Sequence, residues 1–378
     1  MAESAARAGY AVTTLDAFGD LDQHDGVHAL SLPRDFGVAF TSDAAARLAS
    51  ELTCDVVAYL SPFENHARAI ARLAEGRALW GNSPSVVRRV RDPWVLADAL
   101  ARQGVVVPDL LPAGTRPSLD DESSEWLVKP LSSGGGHGVH AWRRDDVVPP
   151  STYLQGFVEG APASIVLVAA RGRSVPLGLT RQLVGDEAFG ATGFRYCGNI
   201  LAAANDTQFH RDAELVAAAS ALAGAVTREF GLVGVNGIDF IARGGVPVPI
   251  EVNPRYSASM ELVERAYGVS IFAVHAAACA GDEVPLFDLE RARQAPRALG
   301  KAILFARHDV TCGDTRPWLD DPTVRDVPHP GEPIPSGRPV CTVFAEGADS
   351  TECYASLVRR AEEVYSVLDA WAAAGVAQ

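Results

Sequence analysis

The chain has 378 residues, 48% of them hydrophobic, and this length predicts two or three domains around a large core. The formal net charge of −14, from 47 acidic and 33 basic residues, argues against nucleic acid or an anionic membrane as a partner. No apolar signal segment or bilayer-spanning run is found, so we expect a cytoplasmic protein, either monomer or homodimer, that acts on small molecules.

The first third of the chain alternates short apolar segments with alanine-rich ones. The pattern predicts strands over residues 10–15, 27–32, 54–60 and 78–80, and helices over residues 44–52 and 66–74. Such alternation predicts a parallel sheet with helices on both faces. Because residues 5–9 are helical and lead directly into the strand at Tyr10, we expect the first strand of a doubly wound domain to be missing.

The middle of the chain changes from helical to strand-rich. A helix is predicted over residues 83–102, with Ser83 as its N-cap and Pro93 interrupting it, and the proline- and glycine-containing residues 104–117 are typical of a linker. The strands that follow are predicted over residues 126–129, 139–142, 152–157, 165–170 and 174–180. An amphipathic helix over 212–230, paired strands over 234–241 and 246–252, and a helix over 352–374 complete the prediction.

A lysine at the end of a strand precedes a glycine-rich turn. Residues 126–139 read WLVKPLSSGGGHGV. Glycines let backbone N–H groups wrap around phosphate oxygens, and Lys129 would add a positive charge for the same anion. The run matches neither the Walker A nor the dinucleotide motif, because no Lys–Ser/Thr pair and no helix follow the glycines. Taken alone, it fits a glycine-rich hairpin with an incidental lysine equally well.

A second polar group lies on the predicted hairpin at residues 234–252. Its turn, Gly244–Gly245, can place Asp239 and Glu251 at adjacent positions of one face, and Asn253 points to the same side as Glu251. Three oxygen-bearing side chains favour a magnesium site. The alternative is a polar surface strand, but carboxylates within such apolar runs need a compensating partner.

These two groups, together with the alternating domain before them, resemble the ATP-grasp superfamily over most of the chain. The resemblance implies an ATP-grasp fold of α/β and α+β type. In that fold a Rossmann-like pre-ATP-grasp domain (residues 1–112) precedes a lid subdomain (113–172) and a C-terminal subdomain with the metal site (173–378). It also implies Mg²⁺ and ATP, and a carboxylic acid that attacks the γ-phosphate to give an acyl phosphate, which an amine then captures. Residues 251–256 and 328–345 resemble stand-alone ligases of one-carbon coenzyme pathways, such as tyramine–glutamate ligases.

The resemblance also assigns roles to individual residues. Lys129 and Arg255 would be catalytic, since a transferring phosphoryl group needs positive charge. Asp239, Glu251 and Asn253 would hold magnesium. The nucleotide would be bound by Lys129, Ser133, Gly134, Gly135, Gly136, Gly138 and Val139, and by a hinge of Gln155, Gly156, Phe157, Val158 and Glu159. Arg181 and Arg195 could bind a substrate, although an ordinary polar loop explains them equally well.

Some features depart from the family pattern and leave other functions open. Members often carry a further phosphate-binding lysine before the linker, where this chain has Arg89, Arg91 and Pro93. A kinase or a bicarbonate-using carboxylase on the same scaffold is one alternative, although no Met-Lys-Met segment indicates a biotin carrier. The other is a non-catalytic ATP-binding protein that regulates a partner.

Overall fold

The computed structural model describes residues 1–117, 125–144, 146–204 and 206–376, with side chains up to residue 373. The helices are α1 (Ala2–Arg7), α2 (Leu32–Phe36), α3 (Ser42–Ala49), α4 (Ala67–Leu73), α5 (Pro84–Val90), α6 (Pro93–Ala101), α7 (Asp212–Phe230), α8 (Ser259–Tyr267), α9 (Ile271–Gly281), α10 (Leu289–Ala292) and α11 (Ser350–Val376). Within these ranges, every helix is too short or too polar to cross a bilayer.

The strands alternate with these helices in the first part of the chain and dominate the rest. They are β1 (Val12–Asp16), β2 (Val27–Ser31), β3 (Val56–Val57), β4 (Ala78–Leu79), β5 (Leu110–Pro112), β6 (Trp126–Pro130), β7 (His140–Ala141), β8 (Thr152–Gly156), β9 (Ala161–Ala170), β10 (Arg173–Val184), β11 (Tyr196–Leu201), β12 (Gly234–Arg243), β13 (Val246–Asn253), β14 (Ala298–Phe305), β15 (Val310–Thr311), β16 (Val324–Arg325), β17 (Pro333–Ile334) and β18 (Pro339–Gly347).

The amino-terminal part has the predicted alternation of strands and helices. Strand β1 pairs in parallel with β2, and β3 pairs in parallel with β4. Helices α2, α3 and α4 bury a core around Leu32, Ala46 and Ile70. Helix α1 precedes β1, as predicted, and Ala5 packs against Phe272 of α9.

A proline breaks the long helix predicted over residues 83–102 into two. Ser83 caps α5 through its side chain, with Pro84 as the first helical residue, and Asp92 caps α6, with Pro93 in the same position. The predicted interruption at Pro93 is therefore confirmed. Arg91 lies directly after α5, as its C-cap residue.

A four-stranded antiparallel sheet, in the order β5-β8-β6-β7, follows these helices. Its edge strand β5 lies inside the segment predicted to be a linker, so that prediction is wrong for Leu110–Pro112. The two leucines pair with β8, and a proline is tolerated because β5 is an edge strand. The division of the chain at residues 112 and 172 stays a prediction.

An eight-stranded antiparallel sheet, in the order β13-β12-β9-β10-β11-β14-β18-β16, forms the centre of the molecule. Helices α7 and α11 cover one face through two apolar clusters, and α8 and α9 cover the other. The hairpin β12–β13 turns at Gly244 and Gly245, which both have positive φ. Its register places Asp239 directly opposite Glu251, as predicted.

Candidate functional site

Three oxygen-bearing side chains meet on the face of the large sheet that α8 covers. Asn253 donates from Nδ2 to Asp239 Oδ2 over 2.9 Å, and Asp239 faces Glu251 across the strands. Burial and the Glu251 charge raise the pKa of Asp239 to about 6. Two facing carboxylates and an amide oxygen suit a hard divalent cation, which would remove this repulsion. The described residues contain no group of three or more His, Cys, Asp or Glu side chains suited to a metal, so a cation here depends on the Asn253 amide as well.

Lys129 reaches this site from the four-stranded sheet. Its Nζ donates to Gln155 Oε1 over 3.0 Å and to the Ile250 carbonyl oxygen over 3.4 Å. Burial lowers the pKa of Lys129, and the nearby Glu251 opposes that shift. Lys129 therefore links the four-stranded sheet to the eight-stranded sheet, next to Glu251.

The glycine loop, residues 133–138, lies over the Asp239–Glu251 pair, and contacts on two sides hold it in position. The Tyr196 amide donates to the Gly135 carbonyl oxygen over 3.0 Å. Gly136 has φ of +73°, and a Cβ there would lie 1.8 Å from the Phe194 carbonyl oxygen, so only glycine fits. The turn ends where the Val139 amide donates to the Gly136 carbonyl oxygen, beside Gly138 with φ of +76°.

Arg91 joins the glycine loop to the carboxylates, a role that its sequence pattern did not indicate. It donates to Glu251 from Nη1, and its Nη2 donates over 2.9 Å to both the Ser133 carbonyl oxygen and Asn65 Oδ1. The only signal in the sequence was its place at the end of α5, where the family often has a lysine. Which way its side chain points depends on the packing of α5.

Arg255 is held by a buried carboxylate that the sequence did not indicate. Its Nε and Nη2 donate to Glu64 Oε1 over 3.1 and 2.7 Å, and Nη2 also donates to Asn253 Oδ1 over 3.1 Å. The Glu64 side chain is 0% exposed. Burial opposes its ionisation, but the guanidinium outweighs burial and keeps the pKa of Glu64 below its ordinary value. Glu64 therefore fixes the Arg255 guanidinium beside Asn253.

A narrow cleft of about 50 Å³ opens between these groups. Arg91, Lys129, Ser133 and Glu251 form its polar lining. A smaller apolar cleft of about 20 Å³ adjoins it, and its lining includes Leu96, Leu100, Val107, Tyr153 and Gln155. A ring would enter the second cleft only after the cleft widens, because about 20 Å³ holds little more than one water molecule.

The other residues predicted to bind the nucleotide differ in how far they are buried and how close they lie to the cleft. Gln155 is buried in the apolar cleft, Gly156 ends β8, Val158 is partly buried, and both Phe157 and Glu159 are exposed. Gly134 lies in the loop near Glu64.

The two predicted substrate-binding arginines lie apart from this cluster. Arg181 is exposed and points to the opposite face of the sheet from Asp239, because its neighbour Thr180 shares the face of Asp239 through Ser164. The Arg195 guanidinium lies 4.2 Å from the centre of the Phe305 ring, next to the segment that fixes the glycine loop. A substrate role for either arginine stays a prediction.

Comparison with known proteins identifies the class of fold. Residues 90–259 match the sequence model of the ATP-grasp domain. The described sheets and helices have the ATP-grasp arrangement, so the predicted fold is confirmed. Comparison with curated protein sequences gives no match.

Solved structures of similar fold come from several enzymes. Rhizobium etli pyruvate carboxylase is 13% identical with a TM-score of 0.70, and the match covers 95% of this chain but 35% of that one. Bacillus licheniformis L-amino acid ligase is 17% identical with a TM-score of 0.66, covering 96% and 93%. The biotin carboxylase domain of Hydrogenobacter thermophilus 2-oxoglutarate carboxylase, solved with MgADP and bicarbonate, is 14% identical with a TM-score of 0.65, covering 90% and 82%. At these identities the likeness establishes the fold alone.

Proposed function

We propose that the protein is an ATP-dependent carboxylate–amine ligase that uses Mg²⁺ and forms ADP. One observation carries this proposal. The Asp239–Glu251 pair, Lys129, the glycine loop and Arg255 come together in one connected set of contacts, although they come from distant parts of the chain. A phosphoryl-transfer site needs such a combination of metal-binding oxygens and fixed positive charge.

Each group has a defined task in this proposal. Lys129 and Arg91 would contact nucleotide phosphates, Gly134 to Gly138 would cover them with backbone N–H groups, and the apolar cleft at Gln155 would take the base. Asp239, Glu251 and Asn253 would hold magnesium, which supplies charge neutralisation for the phosphate oxygens. Because Arg91 contacts Glu251 in this structure, it would exchange that carboxylate for phosphate when the cation binds.

The proposed reaction has two steps. A carboxylate oxygen of the acid attacks the γ-phosphorus, the bond from that phosphorus to the bridging oxygen breaks, and ADP leaves. The amine nitrogen then attacks the acyl carbon, the bond from that carbon to the phosphate oxygen breaks, and the nitrogen gives up one proton. An amide bond has formed, and inorganic phosphate leaves with that proton. Arg255, fixed by Glu64, is placed to stabilise the charge on the transferred phosphoryl group in both steps.

The similar structures support this class of reaction and also suggest a competitor. An L-amino acid ligase shares the fold over nearly its full length, and a biotin carboxylase domain binds MgADP and bicarbonate. A carboxylase would use bicarbonate as its acid. The narrower resemblance to tyramine–glutamate ligases, and a cytoplasmic location, remain parts of the proposal.

The first test is isothermal titration with ATP, with and without Mg²⁺. The wild type should bind with a Kd of roughly micromolar order when Mg²⁺ is present, and Glu251→Ala should lose the Mg²⁺-dependent part. Glu214→Ala is the matched control, because Glu214 is an exposed carboxylate on α7. Absence of ATP binding by the wild type would refute the proposal.

The second test is phosphate release with pairs of acids and amines. A ligase should release ADP and phosphate only when both are supplied. ATP turnover with bicarbonate and no amine would favour the carboxylase instead.

A further inference from the structure

A buried amide faces the smaller, apolar cleft from β8. Gln155 is 4% exposed, and it lines this cleft together with Tyr153. The two residues lie two positions apart on β8, so their side chains project from the same face of the strand. A glutamine amide has an oxygen that accepts hydrogen bonds and a nitrogen that donates two, and buried polar groups rarely lack partners. The partners of this amide therefore show what the cleft offers to a ligand.

Lys129 fixes which end of the Gln155 amide faces the cleft. Its Nζ lies 3.0 Å from Gln155 Oε1, and an ammonium group can only donate. The same Nζ donates to the Ile250 carbonyl oxygen over 3.4 Å, and the negative charge of Glu251 favours the charged form of the lysine. The amide oxygen is therefore held by Lys129, and the amide nitrogen points away from it.

The amide nitrogen of Gln155 has no acceptor within the described part of the chain, although it is not sealed from solvent. The fully enclosed side-chain atoms that lack a partner include Glu64 Oε2 and Arg91 Nε, but not Gln155 Nε2. Because Gln155 is 4% exposed and lines the small cleft, this cleft is where its nitrogen is accessible. The cleft therefore contains a hydrogen-bond donor that is free to bind a ligand.

The other described residues that line this cleft supply no carboxylate. Apart from Gln155 and Tyr153 their side chains are apolar, as Leu96, Leu100 and Val107 show. The Tyr153 ring packs against Trp94, with 5.6 Å between the ring centres. Burial raises the pKa of Tyr153, so its hydroxyl keeps its proton. A base that enters the cleft therefore meets the N–H donor of Gln155 beside apolar and aromatic walls.

The edge that a purine presents decides how well it can use such a donor. On the edge formed by N7 and the 6-position, adenine has an acceptor and an amino group, which donates. Guanine and hypoxanthine, the 6-oxopurines, have two acceptors on the same edge. The Gln155 oxygen, which could accept from an adenine amino group, is already bound to Lys129. A lone donor therefore pairs with any position of a 6-oxopurine edge, but only with N7 of adenine.

We propose that Gln155 determines the base specificity of the nucleotide site by donating to this purine edge, so that the site accepts 6-oxopurine nucleotides at least as well as ATP. The nucleotide class is accordingly purine nucleoside triphosphates rather than ATP alone. This inference rests on the proposed ligase function, because that function assigns the base to the apolar cleft. Lys129, which would contact the phosphates, holds Gln155 in the orientation that presents its donor to the base.

Titration calorimetry in the presence of Mg²⁺ compares ATP with ITP, which has an oxygen in place of the 6-amino group. The wild type should bind ITP as tightly as ATP or more tightly. Gln155→Glu has the same shape and keeps one oxygen for Lys129, but it replaces the donor with a second acceptor. Relative to ATP, this variant should bind ITP about ten- to one-hundred-fold more weakly than the wild type does, because the carboxylate can accept from the adenine amino group but faces only acceptors on ITP.

The ratio of the two dissociation constants within one protein isolates the contact with the base. The added charge of Gln155→Glu also changes phosphate binding near Lys129, but it does so equally for ATP and ITP. Gln294→Glu is the matched control, because Gln294 Nε2 donates to the Glu290 carbonyl oxygen at the surface. Its ratio should equal that of the wild type, and urea unfolding shows whether each variant is folded.

Each other outcome has a separate meaning. A wild type that binds ATP more tightly than ITP overturns the inference, and this measurement needs no variant. Equal ratios in the wild type and in a folded Gln155→Glu also overturn it, because the amide then does not contact this edge of the base. If the wild type binds neither nucleotide, the proposed function fails instead.

Discussion

The ion pair between Glu64 and Arg255 gives the most direct test of how the site is held together. The Glu64 side chain is 0% exposed and that of Arg255 is 11% exposed, and two guanidinium nitrogens donate to one carboxylate oxygen. Glu64→Gln leaves the Arg255 charge without its counter-ion. Removing one partner of a buried pair costs about 3–5 kcal/mol, and the retained amide oxygen favours the lower end, about 3 kcal/mol.

The assay is urea unfolding at pH 7.5, followed by circular dichroism, with Glu3→Gln as the matched control. Glu3 pairs with Arg7 at the surface, where the two side chains are 33% and 51% exposed, so this control should lose less than about 0.5 kcal/mol. Glu64→Gln should also lower kcat more than it weakens ATP binding, because Arg255 loses its orientation. An equal loss of stability in both variants would refute the reasoning.

Three further predictions concern the glycine loop, the buried His275 and Lys129. Gly136→Ala should displace the loop and weaken ATP binding about ten-fold or more, since its Cβ would lie 1.8 Å from the Phe194 carbonyl oxygen; calorimetry measures this. Burial lowers the pKa of His275 to about 4 from 6.5, so its contribution to stability is present above pH 6.5 and is lost as the pH falls toward 4. The loss amounts to about 3 kcal/mol and should be absent in His275→Gln, as urea unfolding at several pH values would show. Lys129→Met should weaken ATP binding about ten- to one-hundred-fold through lost charge-assisted hydrogen bonds.

The controls for these predictions come from the same chain. Gly135→Ala has the same kind of backbone strain, with φ of +60°, but nothing lies within 4 Å of its Cβ, so it should affect ATP binding less than Gly136→Ala. Equal effects would contradict the steric argument. For Lys129→Met, urea unfolding should show a modest loss of stability, because Gln155 Oε1 and the Ile250 carbonyl oxygen lose a donor, and a variant that stays folded separates this loss from the loss of ATP binding. An unchanged pH dependence in His275→Gln would show that other groups cause the loss.

The sequence by itself determined the features that depend on neighbouring residues. Gly244 and Gly245 set the turn of the hairpin and the pairing of the residues next to it. A β-bulge between Asp239 and Phe240 then brings Asp239 opposite Glu251, because the register set by the turn alone would pair Asp239 with Ile250. Helix α7 begins and ends where its periodicity and the following Gly231 indicate, and Pro93 breaks the preceding helix. Local geometry decides the turn and these helix ends, so no distant contact was needed for them.

Only the tertiary structure decided which distant side chains complete the site. Glu64 lies 191 residues from Arg255, and Arg91 lies 160 residues from Glu251. Alternation along β10 shows that Arg181 and Thr180 point in opposite directions, but only strand pairing shows that Thr180 shares the face of Asp239. The physical reason is that side chains alternate between the two faces of a strand, so the sequence shows which residues share a face. Which side chains from other helices and strands contact that face depends on how those remote elements pack.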